Sequence, residues 1–122
     1  MFLDLSHTRL PIYSATKSFV YACYKLTLVF PSEERFILTQ QMRRAALSIH
    51  LNTAEGSSRK SVAERKRFYE IARSSLIEID AALDIAEAMN YCEKNKLEDF
   101  GREMVNCFKQ LSGLINNLSL EK

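Results

Sequence analysis

Tryptophan is missing from these 122 residues, and glycine, proline, cysteine and histidine number only three, two, three and two. So little glycine and proline leaves too few turn residues for a sheet protein. Abundant Ala, Leu, Glu, Lys and Arg favour helix instead, so the expected class is all-α. Cys23, Cys92 and Cys107 are odd in number, widely spaced and without a Cys-x-x-Cys pair. That spacing argues against a disulfide framework and a structural zinc site and leaves small apolar fillers as their reading. No apolar run nears the ~20 residues that a membrane span needs, and no basic segment followed by a long apolar stretch opens the chain. Neither a membrane association nor a signal peptide is expected, and the cytoplasm is the expected location.

The two histidines also limit the chemistry. Metal sites in helical bundles are often built from Glu-x-x-His pairs, but Leu47 stands three residues before His50, and His7 falls in the N-terminal segment. No His-Glu-x-x-His, phosphate-cradling glycine loop or dinucleotide fingerprint occurs. Asp80, Asp84 and Glu87 share a helical face, which reads as a solvated acidic run. We therefore expect no enzyme, no metal and no cofactor.

Charge is present but unevenly placed. Arg43, Arg44, Arg59, Lys60, Arg65, Lys66, Arg67 and Arg73 face only Glu55, Glu64 and Glu70 between positions 43 and 73. From 76 to 103 the balance reverses, with eight acidic residues against Lys94, Lys96 and Arg102. A chain that is dipolar along its length permits an anionic partner at one end, or complementary contacts between copies.

Apolar residues recur at steps of three and four in four segments. Ile12, Ala15, Phe19, Ala22, Leu26 and Val29 mark a helix over about 12–30, stopped by Pro31. Ser32 as N-cap, with Glu33 and Glu34 behind it, starts a second over about 33–55. Its seam is Leu38, Met42, Ala45 and Ile49, and Gly56 is expected as its left-handed stop. Ser61 and Glu64 form a capping box for a third over about 62–89, closed by Asn90. Asn95 and Glu98 repeat the capping pattern for a fourth over about 96–118, with Leu97, Met104, Phe108, Leu111, Ile115 and Leu118 as its seam. Residues 1–11 read as a loose N-terminal segment of one domain spanning 1–122. Short connections make neighbours antiparallel, which predicts an up-down-up-down four-helix bundle. The third helix carries two parallel apolar series, Tyr69 to Ala86 and Phe68 to Met89, more than one seam requires, so self-association is expected.

Two polar features stand apart from this pattern. Gln41, Arg44, Ser48, Asn52, Glu55 and Arg59 form a stripe beside the second helix's seam. Buried polar groups need partners and can set register, so one reading is a hydrogen-bonded set fixing helix or subunit pairing; the other is a ligand surface. On the first reading, Asn52→Ala or Glu55→Ala lowers stability or disrupts assembly. The second feature is "SSRKSVAERKR", residues 57–67, which crowds Arg59, Lys60, Arg65, Lys66 and Arg67 where one helix ends and the next begins. A helix amino terminus adds partial positive charge, so phosphate contact is physically easy there.

The stretch "QMRRAALSIHLNTAEGSSR" followed by "RFYEIARSSLIEID" resembles the four-helix bundle proteins encoded in 23S rRNA intervening sequences. Gln41, Arg43, Arg44, Ala45, Ser48, Ile49, Asn52, Ala54, Glu55, Gly56 and Arg59 fall on that family's pattern, followed by Phe68, Ala72, Ser75, Leu76 and Glu78. His50, Thr53 and Ser74 depart from it, standing where proline, isoleucine and glycine are usual. The resemblance implies a homopentameric ring of four-helix subunits without known enzymatic activity. It also implies kinship with accessory proteins of diversity-generating retroelements, which bind a reverse transcriptase and nucleic acid. The expected role is thus a non-enzymatic oligomeric scaffold or accessory protein. It would contact RNA or DNA through Arg59, Lys60, Arg65, Lys66 and Arg67 with nearby Arg43 and Arg73, and could partner a nucleic-acid-processing protein. The alternative is a protein–protein interaction module that binds no nucleic acid.

Overall fold

The computed structural model describes residues 2–120. Four α-helices carry the fold: α1 (Pro11–Thr27), α2 (Leu38–Ser58), α3 (Val62–Ala88) and α4 (Lys94–Leu120), with no strand among the described residues. Each helix packs against its chain neighbours, and α4 closes onto α1. The bundle axis is filled by Phe19, Met42, Ile49, Tyr69, Leu76, Ile79 and Leu111, all sealed from solvent. Phe19 stacks on Phe100 at 4.7 Å between ring centres, pinning α1 to α4.

Helix α3 occupies almost the span expected of it, because its punctuation is local. The Ser61 side chain accepts the Glu64 backbone N–H, making half of the capping box. At the other end Asn90 adopts φ 58°, while Asn90 N–H donates to the Glu87 carbonyl and Tyr91 N–H to that of Ala86. This is the left-handed C-terminal turn that asparagine tolerates better than most residues.

Elsewhere the boundaries differ, for reasons that lie across the bundle. Helix α1 stops at Thr27, three residues short of expectation, since Arg43 Nε donates to Thr27 Oγ1 and Arg43 Nη2 to the Tyr24 carbonyl. Val29 therefore lies in the connecting turn, half-exposed, and the α1 core face runs Ile12, Thr16, Phe19, Cys23, Leu26 rather than through Ala15 and Ala22. Helix α2 begins at Leu38, not 33; Ser32 caps nothing and opens a 3-10 turn, Ser32–Glu34. The Glu34 carboxylate does the terminal work instead, accepting the Leu38 N–H at 3.4 Å and the Tyr91 hydroxyl at 2.7 Å. That bond ties the first inter-helix turn to the last one and pushes the Tyr91 pKa up, chiefly by stabilising the protonated phenol.

Gly56 is not a left-handed stop: α2 runs through it to Ser58 with no positive φ. Its missing side chain serves packing, since a Cβ there would sit 2.9 Å from Phe68 Cβ and 3.1 Å from the Tyr69 ring. Helix α4 starts at Lys94, before Asn95, so the Asn95–Glu98 pattern is inside the helix rather than ahead of it. Phe108 is turned outward and Cys107 takes the seam position. Residues 6–9 form a 3-10 turn that packs against α1 and α2, so the N-terminal segment is not uniformly loose. Burial raises the Cys23 and Cys107 thiols to about 12, well away from reactive thiolate chemistry.

Candidate nucleic-acid interface

The expected basic residues do not converge on one surface. Arg43 is spent on the end of α1, and its guanidinium lies 4.7 Å from the Tyr24 ring centre. Arg73 reaches across to α4, donating to Ser112 Oγ at 3.2 Å and lying over the Phe108 ring. Both act as inter-helix braces. Arg59 caps its own neighbourhood: it pairs with Glu55 one turn back, with Glu64 at 3.5 Å in α3, and rests on the Phe68 ring. That clamp closes the α2–α3 turn and consumes both nearby carboxylates.

What remains at the turn is Lys60, Arg65, Lys66 and Arg67. Of the five cations over 55–67, Arg59 alone pairs with Glu55 and Glu64, and five positive charges against two negative leave a net charge of +3 on the segment. Lys60 and Arg67 are exposed, while Arg65 and Lys66 are half-buried. Arg65 Nε is buried without a hydrogen-bond partner among the described residues. All four sit within the turn or the first six residues of α3, where unpaired backbone N–H groups add to the field.

The polar stripe has a different setting. Gln41 Nε2 donates to Glu78 at 3.2 Å, Ser75 Oγ to Ser48 Oγ at 3.0 Å, and Ser57 shares a 2.7 Å hydrogen bond with the Tyr69 hydroxyl. Asn52 Nδ2 bonds back to the Ser48 carbonyl and hydroxyl. The Asn52 bonds stay within α2, whereas the other three, with the Arg59–Glu64 contact, make a line of polar contacts between α2 and α3. Small residues on both helices, Ala45, Ala46, Ala72 and Gly56, let the backbones approach along it. Arg44 does not join this line; it is exposed and lines a groove on the α1 side.

That groove went unnoticed in the sequence. It holds about 300 Å³ between the end of α1 and the start of α2, walled by Tyr24, Arg35, Phe36, Arg43, Arg44 and Leu47 among others. The aromatic and basic residues are spread from Tyr24 to Arg44, so no single run of sequence signals them. A second open surface lies between α3 and α4, where Ile77, Val105 and Phe108 surround an apolar depression of about 290 Å³.

Among the described residues no three His, Cys, Asp or Glu side chains gather closely enough to hold a metal ion, and no helix is long and apolar enough to cross a membrane. His50, which occupies the proline position of the family pattern, is half-buried against α1. Its Nδ1 is 2.8 Å from Thr16 Oγ1 and its ring 4.7 Å from that of Tyr13. Burial, then the Lys17 charge, lowers its pKa.

Comparison with known proteins agrees with this architecture. A solved structure of a protein of unknown function from the S23 ribosomal protein family of Bacteroides thetaiotaomicron superposes with a TM-score of 0.76 at 20% identity, covering 85% of this chain and 97% of that one. At that identity the likeness speaks to the fold alone. No curated protein matches the chain. The family model of the 23S rRNA-intervening sequence proteins matches residues 8–113, which takes in all but the N-terminal residues and the end of α4. The chain therefore belongs to the 23S rRNA-intervening sequence protein family.

Proposed function

We propose that this protein is a non-enzymatic, oligomeric accessory protein that contacts the phosphate backbone of RNA or DNA through the α2–α3 turn. The observation that carries the proposal is the division of labour at that turn. Arg59 engages both carboxylates, so Lys60, Arg65, Lys66 and Arg67 form no ion pair among the described residues, and residues 55–67 keep an excess of three positive charges for an outside anion. Phosphate contacts of this kind position a protein without reading sequence. Repetition of the turn around a symmetric ring of subunits would raise a weak single-site affinity through avidity.

The assembly is part of the same proposal. The pairings Thr16 with His50, Arg43 with Thr27, Gln41 with Glu78, Ser57 with Tyr69, and Ser18 with Glu103 support helices that alternate up and down. Such a bundle leaves Ile77, Ile85, Val105 and Phe108 facing outward from α3 and α4. An open apolar face of this kind supports contact between copies, and a homopentameric ring is the assembly we propose. The same face favours a second reading, a module that binds another protein and no nucleic acid.

A salt titration separates the two. Fluorescence anisotropy with a duplex RNA and a duplex DNA should give a log-log salt dependence for the wild type. The Lys60→Ala/Lys66→Ala/Arg67→Ala variant should lose roughly one unit of slope per phosphate contact removed. Absence of binding by the wild type at low salt would leave the protein-binding reading in possession.

A further inference from the structure

The groove between α1 and α2 combines features that the α2–α3 turn does not have. Arg35, Arg43 and Arg44 supply three guanidinium groups, and no carboxylate is among its walls. Of the two acidic side chains in the preceding turn, Glu34 is held by Tyr91 and the Leu38 N–H, and Glu33 is exposed and not among the groove's walls. Arg43 commits Nε and Nη2 to α1, while Arg35 and Arg44 are exposed and form no ion pair among the described residues.

Two aromatic rings stand among these cations. Phe36 is 72% exposed, with the Arg35 guanidinium 4.6 Å from its ring centre. Tyr24 is 37% exposed beneath Arg43. A solvent-facing phenylalanine is unfavourable for an isolated surface, and here the cations stand beside it without a carboxylate among the groove's walls. Aromatic faces interleaved with guanidinium groups suit one ligand class well: an unpaired base that stacks while its flanking phosphates meet the arginines. The volume, about 300 Å³, is at the small end of ligand sites, on the scale of one nucleotide.

We infer that this groove binds an unpaired nucleotide of single-stranded RNA or DNA, with Phe36 as the stacking platform, Tyr24 as its flank, and Arg35 and Arg44 on the phosphates. From Arg44 helix α2 runs roughly 20 Å further before it reaches Ser58 and the α2–α3 turn, so the two are separate surfaces. The inference shares its ligand class with the proposal above but not its site, and each can fail alone.

The test uses the full chain and unstructured 20-nucleotide oligouridylate and oligothymidylate, with a DNA duplex as control. Because the chain has no tryptophan, Phe36→Trp introduces a single reporter at the groove. We expect its emission to be quenched by both single strands and not by the duplex. Phe36→Ala, at an exposed position that leaves the core intact, should weaken single-strand binding by about 5- to 100-fold. Arg35→Ala/Arg44→Ala should weaken it and flatten its salt dependence. Removing Lys60, Lys66 and Arg67 should lower duplex affinity while leaving the quenching in place. Unchanged emission of Phe36→Trp at saturating single strand overturns the inference, as does unchanged affinity of Phe36→Ala. A change in the mass of Phe36→Ala by light scattering, with binding unaltered, also overturns it and assigns the groove to contact between copies.

Discussion

Helix α3 has two seams, and they are made of opposite material. Toward α2 it presents Ala72, Ser75 and Tyr69 to small and polar partners, and the seam is closed by Ser48–Ser75, Ser57–Tyr69 and Gln41–Glu78 hydrogen bonds. Toward α4 it leaves Ile77 more than half exposed, and Val105 and Phe108 join it around an open depression. Small residues with paired hydroxyls permit close approach and one register. Large aliphatic residues without a cover leave a surface that only another molecule can fill. One seam is closed by small and polar residues, then, and the other leaves an apolar depression open.

The comparison breaks most visibly if aromatic residues on the two seams respond alike to truncation. Tyr69→Ala should cost about 3–5 kcal/mol, because its ring is fully buried between the helices. Phe108→Ala should cost under about 1 kcal/mol, most of it the loss of contact with the Arg73 guanidinium. It should instead lower the molecular mass seen by light scattering. Equal melting losses for both, or an unaltered mass for Phe108→Ala, would erase the distinction.

Next in size is Gly56→Ala. Alanine favours a helix interior by about 1 kcal/mol over glycine, so an unconstrained site would gain stability. Here the new Cβ would meet Phe68 Cβ at 2.9 Å, and that atom cannot move without moving α3. Overpacking of this kind costs about 1–3 kcal/mol, so the net should be a loss, read as a lower denaturation midpoint. Any rise in the midpoint would mean that the seam is less tight than it looks.

A smaller effect tests the hydroxyl pair directly. Ser48→Ala and Ser75→Ala should each cost about 1 kcal/mol by stranding the partner in a partly buried site, while the double variant should cost less than their sum. Additive losses would show that the bond does not couple the helices.

Much of this architecture was legible in the sequence because it is written locally. Three- and four-residue apolar steps located all four helices, and Ser61 with Asn90 fixed both ends of α3. The misplaced ends of α1 and α2 go with Arg43 reaching Thr27 and with Glu34 being held by Tyr91 from the far turn, and nothing in residues 28–37 alone announces those partners. Gly56 was visible as significant but for the wrong reason: one glycine near a helix end can serve a turn or a close approach, and only packing decides. The basic residues were the least legible. Charge density in sequence could not distinguish Arg43, Arg59 and Arg73, which brace helices, from Lys60, Lys66 and Arg67, which do not. It also overlooked Arg35 and Phe36, which join Arg44 only once α1 and α2 are packed.

The smallest expected effect concerns the α1–α2 side, where the half-buried His50 is the one histidine of α2. Its folded-state pKa is lowered by burial and by Lys17, with Thr16 and Tyr13 against the ring. The unfolded chain therefore binds a proton at His50 more readily than the folded one. Its contribution is fully present above the unfolded value of about 6.5 and is lost as the pH falls from there through the depressed folded value. Wild type should melt progressively lower below pH 6.5, and His50→Gln, which cannot charge, should show a shallower decline over the same interval. Since no histidine takes part in the α2–α3 hydrogen bonds, amide exchange should rise first at Thr16 and along the α1-facing side of α2. Loss of protection at Ser48 and Ser75 before Thr16 would instead place the weaker seam between α2 and α3 and reverse the ranking of the two.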